Sequence, residues 1–421
     1  MAQGPEGGYG RPLGRHLPET LRPFSSPAFR IARSWLLAGA AILTATACAG
    51  EPTALERQLI EMPADRWLEV PDTKLADVCA PKSFGVDGDL GCAGIIEAWG
   101  SGAYAGDQRK MFVWGGGHND YWGNELYAFD LRSGRWERIT DPSPGELVKA
   151  GTDPLPDGKP NSRHTYDGIQ YIEHGGKLFG QGGAISPGGG GTSVTWLFDP
   201  ATRSWHNAGN KDRPGGYGIA SGYDPKSRAI FVRATKALWR YDTDSETWTR
   251  LKTFGTRPLW PRYEVSGNKR GAVDTRRGRF WVVGNNDFLV WDIAQGKIVT
   301  DEWVTTGGGD YTNEPRVKKH PEQIFRSGGG DIYNAPAPGF DYDSKADQFV
   351  AWRGGAPYVL DLATKTWSRR SDVGAPAAQA RNGTYGRWRY LREYNVFMLV
   401  NSAASNVFFY KNTAGGPPAA Q

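Results

Sequence analysis

One alternation of apolar and polar positions recurs six times along the chain. A short apolar stretch closes on an aromatic or apolar residue, a polar turn follows, and a second apolar stretch begins. The copies are residues 104–113 (YAGDQRKMFV), 171–180 (YIEHGGKLFG), 223–232 (YDPKSRAIFV), 273–282 (VDTRRGRFWV), 342–351 (YDSKADQFVA) and 390–399 (YLREYNVFML). Each predicts a β-hairpin, because apolar runs this short flanked by polar turn residues fit strands better than helices. A second landmark follows most copies: an apolar residue, Asp, a short turn, then Trp. It reads FDLRSGRW to Trp136, FDPATRSW to Trp205, YDTDSETW to Trp248 and LDLATKTW to Trp367. The fourth copy, WDIAQGKIV, lacks the Trp, and the sixth ends at Phe409 and Tyr410.

Each repeat therefore supplies four short strands, here lettered a to d. Four-stranded units at a spacing of about 50 residues predict the blades of a β-propeller. The sixth repeat has three strands, and residues 66–70 (RWLEV) carry a Trp matching strand d. Joining both chain ends in one blade would close the ring and remove its exposed edges. The expected fold class is all-β, a six-bladed propeller closed by an N-terminal strand.

Residues 115–116 (GG), 124–127 (NELY), 129–130 (FD) and Trp136 resemble the Kelch or galactose-oxidase-like propellers, with Gly182-Gly183 and Gly354-Gly355 as weaker echoes. The resemblance covers residues 60–411, although blades 3, 4 and 6 lack the tandem glycines. It implies an architecture and leaves function to the site, since such propellers include enzymes and pure binding modules.

Composition narrows the classes. The 421 residues include 57 Gly and 28 Pro, yet 12% are aromatic, which excludes collagen and argues against disorder across the chain. The net charge is +5, and five arginines against Glu6 and Glu19 put +3 of it in the first 47 residues. No basic patch remains to suggest a nucleic-acid partner. Residues 35–43 (WLLAGAAIL), preceded by Arg30 and Arg33 and followed by Ala45-Thr46-Ala47, read as a signal peptide spanning 1–47. Ala45-Thr46-Ala47-Cys48 resembles a bacterial lipobox, which implies lipidation at Cys48 and a cell-envelope location, with simple A-x-A cleavage as the alternative. Cys79 and Cys92 then remain as an even pair, and a disulfide closing that loop would contribute about 3 kcal/mol. The expected organisation is a linker at 48–62, the propeller at 63–411 and a flexible tail at 412–421.

In a propeller the b–c loops and the d–a connections share one face. His118 falls in the b–c loop of blade 1 (GGGHNDYWGN), His164 at the start of blade 2 (NSRHTYDG), and His320 in a long d–a connection. His174 falls in an a–b turn and His206 on an outer strand, away from that face. The long connections 140–163 and 300–337 also rise over it, and long insertions on a rigid scaffold commonly carry function. Position directs Arg163, Tyr217, Arg270, Tyr333, Asn334, Arg381 and Asn382 to the same mouth, with Asn119, Asp120 and Tyr121 beside His118. Trp122, Trp260 and Trp303 are candidate stacking platforms, although blade packing would explain them as well.

Such a ring of Arg, His, Tyr and Asn suits an acidic polysaccharide or oligosaccharide. The leading expectation is a lyase acting on a uronate by β-elimination. Arg163 with Asn119 would neutralise the sugar carboxylate, His118 or His164 would take the C5 proton, and Tyr217 would protonate the leaving oxygen. Propeller-fold lyases such as the ulvan lyases are similar in site composition and imply His, Tyr and Arg in these roles. No cofactor is required, although His118 and His164 with Asp120 or His320 could hold a divalent ion such as zinc or calcium. A copper oxidase of the galactose-oxidase type is excluded, because no cysteine follows Cys92 to cross-link a tyrosine. Sialidase-type S-x-D-x-G-x-T-W turns are absent. Hydrolysis by paired carboxylates stays open through Asp120, Glu125, Asp310 and Glu314, with Glu125 at a structural position. The alternative to an enzyme is a non-catalytic, monomeric surface lipoprotein that binds glycan or protein.

Overall fold

The computed structural model describes residues 51–208, 213–254, 268–285, 287–299 and 329–418. The signal-like segment and Cys48 lie outside them, as do Trp260, Trp303, Asp310, Glu314 and His320. Within them the chain forms six antiparallel sheets, the blades of a six-bladed β-propeller. Strand β1 (Arg66–Val70) is the outermost strand of the last blade, paired with β25 (Val407–Lys411), which pairs with β24 (Val396–Leu399) and then β23 (Trp388–Leu391). The ring thus closes by joining the two ends of the chain, with Trp67 opposite Tyr410.

Blade 1 runs β2 (Ser101–Ala105), β3 (Lys110–Trp114), β4 (Tyr127–Asp130) and β5 (Arg135–Arg138). Blade 2 departs from the pattern. Its innermost position is split between β6 (Arg163–His164) and β7 (Ile169–Ile172), both paired with the nine-residue β8 (Lys177–Ile185). With β9 (Gly191–Asp199) this makes a hairpin longer than those of the other blades, finished by β10 (Ser204–Asn207). Blades 3, 4 and 5 begin with β11 (Ala220–Asp224), β15 (Arg270–Asp274) and β19 (Gly339–Asp343) and have four strands each.

The aspartates of the second landmark have a mechanical role in the c–d turns. Asp130 accepts the N–H groups of Arg132 and Ser133, Asp199 those of Ala201 and Thr202, and Asp361 those of Ala363 and Thr364. A carboxylate satisfying its own turn's amides fixes the reversal before strand d. The tryptophans then pack between blades: Trp205 lies 4.7 Å from Trp114, and Trp67 contacts Trp352, Trp388 and Tyr410 at 5.2–6.2 Å.

Parts of the expected linker at 48–62 and tail at 412–421 carry structure among the described residues. Inside 48–62, residues Ala54–Glu61 form a helix with a Thr53/Glu56 capping box. It docks on blade 6 by burying Leu59 and by the Tyr394 hydroxyl donating to Glu56 at 2.6 Å. Beyond 411, Asn412 donates to Asp343, and the carbonyls of Thr413 and Gly415 accept from Asn395.

Truncating the closing strand tests this arrangement. Trp67→Ala is expected to cost about 2–4 kcal/mol, because it removes a tryptophan wedged between three aromatic rings. Denaturant unfolding of wild type and variant measures it.

Candidate functional site

Each blade is entered at the channel mouth through one residue in the left-handed region. These are Trp99 (φ 51°), Tyr166 (48°), Gly218 (56°), Asn268 (34°), Ala337 (41°) and Tyr385 (50°). For residues with a Cβ this conformation costs about 1–2 kcal/mol each, and hydrogen bonds between neighbouring entries offset it. The amide of Tyr166 donates to the Trp99 carbonyl at 2.8 Å, and that of Thr384 to the Ala337 carbonyl at 2.8 Å. Three of the six entries are aromatic. Trp99, Tyr166 and Tyr385 group with Ala337, and the Tyr385 hydroxyl donates to Asn268 Oδ1.

Beside this collar lie two imidazoles and a carboxylate. His164 Nε2 donates to Asp120 Oδ2 at 2.8 Å, and His118 Nδ1 lies 4.0 Å from the same oxygen. The two imidazole centroids are 5.8 Å apart. His164 is 5% exposed, with Trp99 against its face at 4.6 Å and Tyr166 edge-on at 5.9 Å. Burial lowers its pKa, only partly offset by Asp120, so the ring is neutral near pH 7. Burial, with Tyr217 and Asp120 nearby, raises the pKa of Tyr166, so its phenol keeps its proton. The His118 side chain is 46% exposed.

Local sequence explains the gathering. In 164–167 (HTYD) the strand ends at His164 and the chain turns, with Tyr166 at φ 48°. Thr165 accepts the Ser101 amide and donates to the Trp114 carbonyl, and Asp167 is fully buried below. His164 and Tyr166 are left facing the mouth. His118 sits at φ 50° after Gly116 (99°) and Gly117 (88°), and a Cβ at Gly117 would collide with the backbone of residues 163–164 and 184. The blade 2 hairpin supplies the far wall: its tip glycines Gly189 and Gly191 leave no room for a Cβ beside His118 and Tyr217 respectively. Asn119 accepts the Gly188 amide at 3.1 Å, tying loop to hairpin.

A second brace comes from the Cys79–Cys92 disulfide. The segment it closes grips the His118 loop through backbone bonds: Asp89 N to Asn119 O, Leu90 N to Asp120 O, and Trp122 N to Asp87 O, at 2.8–2.9 Å.

The expected site residues divide. His118, His164, Asp120, Asn119 and Tyr217 share the cleft; Tyr217 is 44% exposed and donates to the Gly189 carbonyl at 2.7 Å. Arg163 does not join them. It is 1% exposed, pairs with Asp153 at 2.8 Å, and lies over the Trp114 ring. Arg270 is also buried, paired with Asp167 beneath the mouth. Tyr121 turns inward and donates to buried Glu125, and Tyr333 packs in the core between blades 4 and 5. Asn382 donates to the Glu97 carbonyl, whereas Arg381 and Asn334 are exposed. Trp99, Tyr166 and Tyr385 were not singled out from sequence. No period-2 signal points to Tyr166, because the strand ends at His164 and Tyr166 lies in the turn that follows, at φ 48°.

Two outcomes follow. Arg163→Met leaves Asp153 buried without its cation, and is expected to cost about 3–5 kcal/mol in thermal or denaturant unfolding. Opening the disulfide, by reductant or as Cys79→Ser with Cys92→Ser, is expected to raise amide hydrogen exchange in 117–122 well before the blade strands.

No protein-family model matches the chain, and no curated protein matches it. Solved structures do match. TolB from Acinetobacter baumannii is similar over 67% of this chain at 14% identity and a TM-score of 0.37. The chain spans 55% of that structure's length, and a likeness of this degree bears on neither site nor activity.

Proposed function

We propose that this is an exported, carbohydrate-directed propeller that cleaves a uronate-containing polysaccharide by β-elimination. The observation that carries the reading is the meeting of His118, Asp120, His164, Tyr166 and Tyr217 in one aromatic-walled cleft. In the reaction the C5 proton passes to a base, and the electron pair left behind forms the C4–C5 double bond. The C4–O bond breaks, and an acid protonates the departing oxygen. An imidazole, His118 being the more exposed, is an available acceptor. The Tyr166 phenol, which burial keeps protonated, is an available donor alongside Tyr217. The carboxylate-neutralising role passes from buried Arg163 to another group, with the Asn119 amide on hand. Kinship with Kelch propellers belongs to the same reading, supported by the glycine turn before His118 and the Asp-capped c–d turns. The Cys79–Cys92 disulfide supports an oxidising compartment, and we place the lipid anchor at Cys48. A monomer touching the membrane only through that anchor, with no nucleic-acid partner, completes it.

The burial of Arg163 favours a second reading, a propeller that binds acidic glycan without cleaving it. One experiment separates the two: ultraviolet absorbance of unsaturated uronate, with the full chain offered a panel of acidic polysaccharides. A lyase gives rising absorbance on at least one substrate, and His118→Ala lowers the rate about 10²–10⁴-fold. Retained glycan binding with no absorbance change on the whole panel would replace the first reading by the second.

A further inference from the structure

His174, in the a–b turn of blade 2, and His206, on β10, also meet single carboxylates, Asp244 at 2.9 Å and Glu246 at 3.0 Å. The cleft differs, because three donor groups converge there. His118, Asp120 and His164 each offer one ligand atom, and all three atoms lie within 4.8 Å of one another. Among the described residues no other trio of His, Cys, Asp or Glu gathers in this way.

The separations bracket what a small cation needs. Bonds of about 2.0–2.1 Å in a tetrahedron place donors roughly 3.3 Å apart, and here Asp120 Oδ2 lies 2.8 Å from His164 Nε2 and 4.0 Å from His118 Nδ1. Two small movements reconcile the distances: the half-exposed His118 approaches the carboxylate by about 0.7 Å, and His164 withdraws from it by about 0.5 Å. His164 is held by β6 and by the Trp99 ring, and Asp120 by the Leu90 amide bonding its carbonyl. To bind, His164 moves its proton from Nε2 to Nδ1 and presents the lone pair. Two imidazoles and one carboxylate suit zinc and its first-row neighbours; calcium, which takes six to eight oxygens, is poorly served.

We propose that His118, Asp120 and His164 form an open site for a divalent transition metal of the zinc type. Three protein donors carrying one negative charge leave a net positive charge on the ion and a free coordination position facing the cleft. That position would take the carboxylate of an anionic ligand, the role left vacant by Arg163. With the ion in place the imidazoles are ligands; the C5 proton would pass to the Tyr217 oxygen in its deprotonated form, and the protonated Tyr166 would donate to the departing oxygen. This last assignment rests on the lyase reading, whereas metal binding itself does not.

The test strips the full-length protein with a chelator and titrates it with Zn²⁺, Co²⁺ and Ca²⁺, measuring heat, bound metal per chain and the visible spectrum of the Co²⁺ form. One equivalent of Zn²⁺ or Co²⁺ is expected, with visible bands of a four- or five-coordinate ion. Affinity should fall by about 100-fold or more in His118→Ala and Asp120→Asn, beyond the loss usual for an outer-shell partner. His174→Ala should bind as wild type does. His118 is on a half-exposed loop, and matching melting curves confirm that its variant is folded. Absence of saturable binding, binding unchanged in both variants, or preference for Ca²⁺ would each overturn the site. Unsaturated product formed equally fast by the stripped protein would refute the ion's catalytic role and leave the lyase reading standing. Stoichiometric metal with no product would do the reverse.

Discussion

The carboxylate of Asp167 holds the site from beneath. It is fully buried and accepts two contacts from Arg270 Nη1 at 2.9 and 3.0 Å, plus the amides of Ser221 and Gly271 at 2.8 Å each. Those partners belong to blades 3 and 4, so one side chain of blade 2 joins three inner strands. A buried charge is tolerable only when it is paired and its lone pairs are filled, and both conditions hold here. Asp167 lies in the four residues, 165–168, that split the inner strand of blade 2. The same insertion carries Tyr166 and follows His164, so the anchor below and the chemistry above are fixed by one short piece of chain.

Closure of the ring adds a second constraint. Six inner strands converge on one axis, and each must turn sharply as it enters. Five of the six entry residues adopt left-handed backbone despite having a Cβ. That strain persists only where surrounding contacts over-determine the backbone. Here the contacts are the carbonyl-to-amide bonds between entries and the aromatic collar they create. The His118 loop is likewise held from two sides, by the disulfide-closed segment and by the tip of the blade 2 hairpin.

The architecture was legible because its signals are local and repeated. An Asp that caps its own turn and a Trp one turn later recur in blades 1, 2, 3 and 5, and the unpaired β1 motif with its Trp pointed to closure. The site was legible only in part, and Arg163 shows why. Placing it beside His164 at the mouth conflicts with the period-2 geometry of an extended chain, in which neighbours point to opposite sides. Given His164 in the cleft, Arg163 had to turn away, toward Asp153 and Trp114. The same alternation does not reach Tyr166, which stands beyond the end of β6 in a turn at φ 48°. Tyr121 fell to a different cause: its partner Glu125 is buried, and that pairing depends on packing no short motif reveals. Arg270 reached the right end of the channel but the wrong depth, because sequence position gives height along a strand poorly.

Depth also decides how a ligand approaches. Below the collar, Arg270 and Asp167 pair across blade 3, and Arg389 donates to the carbonyls of Gly102 and Ile169 and to the Gln170 side chain. Asp167 and Arg389 have their hydrogen bonds filled, whereas Arg270 Nε and Nη2 are buried without a partner, so an anionic ligand that descended would have to compete with Asp167 for Arg270. At the mouth the balance reverses. Asp120 is partly exposed, His118 is half in water, and the half-buried Trp99 offers ring surface beside them. Under the proposed reading a polymer would lie across the face and present one residue to the cleft. In that geometry the hairpin tip is more than a wall. Gly189 lies against the His118 ring and its carbonyl accepts the Tyr217 hydroxyl, so one peptide sets the spacing between the two side chains that a bound sugar would have to bridge.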